Sequence, residues 1–465
     1  MTFWSLGSQL SLGALWTEVV IADTGDRSGH TLMTLLHLLL LLVIFKLNDS
    51  IERKYPSSPP IMYLYVIENP SVCDSVLSDY ISHALHQAKV SNPHSDVIFG
   101  TNILSCSAFN SIFQPDYIAD VILIDITPLK GEKTLQFESI FDSIIKTHDD
   151  SSGKQMFKPD LWLYSALRFF IMEDIMSSYN ISSIIHVEAD NMLYGDTSLV
   201  VNELTTRYNS SLVATPLNTR ILFITASILW VPSVSVLKSF NDFIIELVQN
   251  KSNLDSYGSW TAYMKFLLSR GGKKKDGTVS MYAINEMSML AFYREMHMDR
   301  FLLFPVIPHY QFPVHKFFAN LNLYVPNKGI SSDFLGTGLF DAGSYGQYLD
   351  GTHALLRPGF SDGNHIAGLA MRVTNGLCTV KMLCTNTFDY SLGSVIKKYP
   401  YQIASDNKVV YYNSCHTAPF VKCYNSSVEL ENEKDFPKDE GYFPLWNLHV
   451  HSKRTNRFLS QSCAC

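Results

Sequence analysis

Two carboxylates two residues apart, Glu188 and Asp190, follow the apolar run that begins at Ile184 in the segment "IIHVEADNMLYGD". β-Branched residues giving way to acids describe a buried strand that stops at a polar mouth. In open α/β sheets, ligands sit beyond the carboxyl ends of the strands. Side chains two apart on a strand share a face, so both carboxylates are expected to project together. Hard oxygen donors of this kind suit Mg2+ or Mn2+, ions that bridge to phosphate oxygens. Near the C-terminus, "LWNLHVHSK" places His449, His451 and Lys453 on one face by the same alternation. Neutral imidazole ligates first-row metals and an ammonium pairs with phosphate. Which histidine would take an ion stays open.

Other residues carry acid–base or anion chemistry. A carboxylate can deprotonate a hydroxyl nucleophile, and two are placed for it: Glu286 in "AINEMSML", at an expected helix start, or Asp341 ahead of the Gly-rich stretch "GLFDAGSYGQYLDGTH". Glu286 equally suits the positive end of its helix dipole. Arg168, on the helical stretch "LYSALRFF", could meet a diphosphate or simply cap a packed helix.

These residues need a frame. Ile61–Ile67, "SDVIFGTN", Ala119–Thr127, "SSIIHVEAD" and "ILFITASILWV" read as strands. "SVCDSVLSDYISHALHQAKV", Pro159–Tyr179, "TSLVVNELTTRY", "VSVLKSFNDFIIELVQN" and "SMYAINEMSMLAFYREM" carry helical spacing. Strands alternating with helices imply an α/β sandwich: a mostly parallel central sheet with helices on both faces. From about Gly329 the character shifts to Gly, Asp and aromatic residues, as in ligand-facing loops, and short strands are expected after Gly376.

"HVEADNMLYGD" resembles the D-x-D-type motif of GT-A-fold glycosyltransferases, with Glu in place of the first Asp. "HVHSK" is similar in logic, though not in spacing, to the His-then-Lys ending of metal-dependent GT-A enzymes such as the glycogenin-like ones. "GLFDAGSYGQYLDGTH" resembles an "FDxxxxGQYLGG" stretch of a GT-A-like group that also ends in "NLHxHSK". Phe340, Asp341, Gly346, Gln347, Tyr348, Leu349 and Gly351 match, while Asp350 replaces a Gly. The resemblance implies a GT-A-like Rossmann-type fold over residues 61–465 and a glycosyltransferase activity. Its metal, Mn2+ or Mg2+, would be held by Asp190 with His449 or His451. Glu188, Asn191, Lys453 and Arg168 would contact metal or nucleotide, and Gln347 and Tyr348 sugar hydroxyls. Implied partners are a nucleoside-diphosphate sugar donor of UDP or GDP type and a glycan, protein or lipid acceptor. Inversion or retention is left open. A nucleotidyltransferase is an alternative, but it would show a Gly-rich phosphate loop after the first strand, and "YVIENPSVC" has no glycine. A non-catalytic lumenal binding protein on the same fold is the other.

The remaining signals concern location. Residues 1–30 form a tail, 31–47 a signal-anchor or cleaved signal segment, and 48–60 a polar stem. The apolar run Thr31–Phe45 spans about 22 Å as a helix, against a hydrocarbon core of about 30 Å. Asn-x-Ser/Thr triplets at Asn48, Asn180, Asn209, Asn250 and Asn425, with eight cysteines, suit the secretory pathway. The close pairs Cys378/Cys384, Cys415/Cys423 and Cys463/Cys465 suggest local disulfides. A Golgi or ER membrane location with a lumenal catalytic domain is expected, or secretion if the segment is cleaved. The net charge of −7, with only the short basic run Lys273–Lys275, argues against nucleic acid as a partner.

Overall fold

Runs such as Ile61–Tyr65 and Ile224–Val231 carry no charge, and a sheet covered on both sides buries them. The computed structural model describes residues 58–67, 79–106, 109, 120–147, 159–197, 204–206, 208–218, 220–249, 259–272, 275–277, 279, 284–307, 339–350, 366, 378–385, 416–424, 440–450 and 453–459. All of these belong to one unit, Ser57–Cys465.

The first half holds β1 (Ile61–Tyr65), α1 (Tyr80–Ser91), β2 (Val97–Thr101), β3 (Val121–Asp125), α2 (Glu132–Thr147), α3 (Pro159–Ser178), β4 (Ile184–Glu188) and β5 (Asn191–Leu193). Next come β6 (Leu212–Pro216), β7 (Ile224–Val231), α4 (Val234–Gln249), α5 (Ser259–Ser269), α6 (Glu286–Met296) and β8 (Phe301–Leu303). Then follow α7 (Ser344–Asp350), β9 (Cys378–Thr385), β10 (His416–Tyr424), β11 (Glu440–Pro444) and β12 (Asn447–His449).

The expected α/β architecture is present. Seven strands run in the order β3-β2-β1-β4-β7-β6-β8, and β7 alone is antiparallel to its neighbours. Tyr63 donates its hydroxyl to Ala84 of α1, while the next residue, Leu64, shares the Gly100 corner with Ile175 of α3. Successive strand residues face opposite ways, so α1 and α3 cover opposite faces. The chain first builds outward from β1 to β2 and β3, then returns to place β4 on the other side of β1. That reversal opens a crevice at the carboxyl ends of β1 and β4. Glu188 is the last residue of β4.

Several expectations need revising. The helix read over "SMYAINEMSMLAFYREM" begins only at Glu286, because Asn285 and Ser288 form a capping box that fixes its start. Part of the Gly-rich stretch expected as loop is the short helix α7. Cys378 and Cys384 lie on one strand six residues apart, roughly 20 Å. A disulfide needs Cα atoms within about 7 Å, so these two do not pair; the register sets Cys378 opposite Cys423 instead. In "TSLVVNELTTRY", the helix is described only over 204–206. Among the described residues no helix is long and apolar enough to cross a membrane. The 1–30 tail, the 31–47 segment and most of the stem lie outside them.

β12 pairs antiparallel with β5, the strand that follows the acidic turn. Gly195 makes that closeness possible. Tyr194 and Gly195 both donate their N–H groups to the Trp446 carbonyl (2.8 and 3.0 Å), and a Cβ on Gly195 would overlap the buried indole. The backbone is bonded in place, so the ring cannot retreat without breaking those bonds. Gly195→Ala is expected to cost about 2–3 kcal/mol through overpacking, read by urea unfolding. Unchanged stability would refute this packing.

Candidate functional site

β4 ends at Glu188, a turn carries Asp190, and β5 starts at Asn191. β12 then runs back along β5, with His449 opposite Asn191. This pairing delivers the imidazole to the acids. His449 Nε2 lies 3.2 Å from Asp190 Oδ1 and 3.6 Å from Glu188 Oε2. One donor atom from each of Glu188, Asp190 and His449 falls within 4.8 Å of the others. Octahedral ligands about 2.1 Å from a small divalent ion stand about 3 Å apart when adjacent. Two carboxylates and one imidazole, a hard set with one borderline donor, could hold a divalent metal ion. The expected convergence of Glu188 and Asp190 therefore occurs, through the turn rather than along one strand.

Lys453 reaches the same place by another path than expected. The strand stops at His449; Val450 donates its N–H to the Asp190 carbonyl (2.9 Å), and Lys453 closes a turn onto Val450 with φ at +62°. A turn, not period-two alternation, brings its ammonium onto Asp190, with the Tyr80 ring 5.2 Å away. His451 lies outside the described residues.

Arg168 projects from α3 into the floor of the site. Its guanidinium pairs with Glu188 through Nη1 and with Glu286 through Nη2 (3.3 Å). Burial would raise the Glu188 carboxyl, but Arg168 above all, with His449 behind it, holds it down at about 2. Glu286 takes the opposite course. Burial, reinforced by the Glu188 charge and only partly offset by Arg168, pushes it up to about 7. Its Oε2 has no hydrogen-bond partner among the described residues. His186, on the same face as Glu188, donates Nδ1–H to the Met62 carbonyl. Burial and then Arg168 lower it to about 3, which keeps it neutral.

The Glu286 asymmetry has a measurable sign. Its folded value lies above the ordinary carboxyl value near 4.5, so between those values the folded state holds a proton that the unfolded chain has lost. Stability from this group is full below about 4.5 and lost as pH rises through about 7. His83 and His86, lowered by burial, slope the other way. The test is therefore a difference: Glu286→Gln should gain on wild type by on the order of 2 kcal/mol between pH 5 and 7.5. Parallel stability curves would overturn it.

The other site residues of the sequence are placed as follows. Asn191 is fully buried; its amide donates to the Ser227 carbonyl and its oxygen accepts from Asn447 (3.1 Å). It braces β5 against β12 rather than facing the crevice. Asp341 is also fully buried, with both carboxylate oxygens engaged by backbone N–H groups. This leaves no lone pair directed at a substrate, unlike the base expected there. Gln347 is buried on α7, and its Oε1 has no partner among the described residues. The Tyr348 side chain lies outside them. Asn447 was missed by sequence reasoning; its signal is a lone amide inside the apolar run "LWNLHV".

No protein-family model matches the chain, and no curated protein matches it. Similar solved structures include apo mouse xyloside xylosyltransferase 1, at 10% identity and TM-score 0.32 over 53% of this chain and 85% of that one. The PaToxG glycosyltransferase matches at 12% identity and TM-score 0.25 over 50% and 79%. A cytidylyltransferase from Leptospira borgpetersenii matches at 12% identity and TM-score 0.23 over 40% and 64%. The chemistry rests on the geometry of the site itself.

Proposed function

We propose that the chain is a metal-dependent glycosyltransferase that takes a nucleoside-diphosphate sugar of UDP or GDP type and transfers the sugar to a hydroxyl. The observation that carries this reading is the meeting of Glu188, Asp190 and His449 at the crevice between β1 and β4, with Lys453 on the same carboxylate. Glu188, Asp190 and His449 would hold a divalent ion there, which when bound would supply positive charge against a departing diphosphate. Lys453, released from Asp190, adds an ammonium for a phosphate oxygen. Arg168 keeps Glu188 ionised and oriented. Glu286, with a carboxyl near 7 and an oxygen that has no partner among the described residues, is suited to take the acceptor proton near neutral pH. Gln347, whose amide oxygen has no partner among the described residues, offers it on the helix beside β12 for a sugar hydroxyl.

The lumenal location belongs to the same reading. It is supported by the apolar run Thr31–Phe45, the five glycosylation triplets and Cys106, which is disulfide-bonded. The acceptor is a glycan, protein or lipid of that compartment.

The test is a donor panel on the full chain, read as nucleotide released with Mn2+, with Mg2+ and with chelator. Release from one UDP- or GDP-sugar that rises at least tenfold with metal is expected. Pyrophosphate release from a nucleoside triphosphate would favour the nucleotidyltransferase alternative, and metal or donor binding without any release a non-catalytic binder.

A further inference from the structure

Asp341 makes more hydrogen bonds than any role as a base would use. Its Oδ1 accepts N–H groups from Gly343 (2.7 Å) and Tyr345 (3.0 Å). Its Oδ2 accepts from Gly346 (2.9 Å) and from His449, 108 residues away (3.0 Å). The Asp341 backbone is tied as firmly: its N–H donates to Asn447 Oδ1 (3.0 Å), and its carbonyl accepts from Asn447 Nδ2 (2.8 Å) and Ser227 Oγ (3.1 Å). Capping the short helix α7 would account for the three local bonds. It does not account for the fourth. Gly346 shows the same purpose, since a Cβ there would overlap the His449 carbonyl oxygen. The absence of a side chain at Gly346 admits the backbone of β12.

Resting on the metal site described above, we infer that Asp341 is a positioning residue: its carboxylate fixes the main chain of His449, so that the imidazole stands at the metal beside Glu188 and Asp190. An imidazole ligand held by a short strand needs its backbone fixed, because a shift of about 1 Å removes it from bonding distance. A carboxylate that accepts four N–H groups supplies that rigidity without contacting the ion.

The experiment compares wild type, Asp341→Asn and Gly346→Ala, with His449→Ala as the control for lost imidazole. Mn2+ affinity is read by calorimetry on the folded protein. Imidazole coordination is read as 14N modulation in the pulsed electron paramagnetic resonance of bound Mn2+. The Asn variant keeps the size but brings an NH2 against N–H donors, so affinity should fall about 10- to 100-fold, the usual cost of losing an outer-shell partner. The 14N modulation should weaken towards that of His449→Ala. Gly346→Ala keeps the carboxylate, displaces the His449 carbonyl and should show the same two losses, which covers the case in which Asp341→Asn does not fold. A folded Asp341→Asn or Gly346→Ala with wild-type affinity and modulation overturns the inference. So does a wild type that binds Mn2+ with no 14N modulation, although that leaves Glu188 and Asp190 as a metal site. Only a wild type that binds no Mn2+ sinks the transferase reading as well.

Discussion

Asp190→Ala should abolish metal-stimulated release of nucleotide from the donor, with a loss of about 10^3-fold or more. Asp190 meets three groups at once: His449 Nε2, the Lys453 ammonium and, through its carbonyl, the Val450 N–H. Removing the side chain deletes one of three ligand donors and frees Lys453 from its anchor. A bound divalent ion is worth several kcal/mol at a transition state that builds negative charge, and about 4 kcal/mol corresponds to 10^3 in rate. The backbone bond to Val450 survives the substitution, so β12 stays in place and the thermal midpoint should change little. Turnover with and without Mn2+, measured beside a melting curve, separates the two effects. If the variant keeps metal-stimulated turnover within threefold of wild type, the metal assignment fails.

Arg168→Met should have the largest effect on stability. The guanidinium links two acids that belong to different elements, β4 and the first turn of α6, and all three side chains are at least four-fifths buried. Methionine preserves much of the volume but leaves Glu188 without its main counter-charge. Breaking a buried pair by removing one partner costs about 3–5 kcal/mol. Two secondary results follow. Glu286→Gln in the Arg168→Met background should recover part of the loss, because one of the stranded carboxylates is gone. Saturating Mn2+ should stabilise the variant more than wild type, since the ion replaces the lost positive charge beside Glu188. Chemical unfolding of the single and double variants, with metal and with chelator, gives all of these values. A single variant within 1 kcal/mol of wild type contradicts the bridging role.

What the sequence made legible was local. Glu188 and Asp190 stood out because a β-branched strand ending in acids is a pattern eleven or so residues long, and the sheet it implied is present. Five of the seven strands of the main sheet were read within a few residues for the same reason, whereas β6 and the three-residue β8 were not read as strands. Pairings across long stretches of chain were not legible. Nothing near Arg168 announces that its partners lie 20 and 118 residues onward. Asp341 looked like a chemical group because acids beside glycines often are; its four N–H partners appear only once α7 has formed and β12 has arrived. Lys453 was placed at the right site by the wrong geometry, because alternation assumes that a strand continues and this one stops at His449.

The order of assembly follows from the pairing of β12 with β5. All seven strands of the main sheet lie between Ile61 and Leu303, whereas two of the side chains that meet Asp190 come from positions 449 and 453. A ribosome therefore delivers the whole scaffold well before the pieces that arm it. A message truncated between codons 304 and 445 would encode every strand of that scaffold and the acidic pair with neither the His449 imidazole nor the Lys453 ammonium, so competence waits on the synthesis of those two residues.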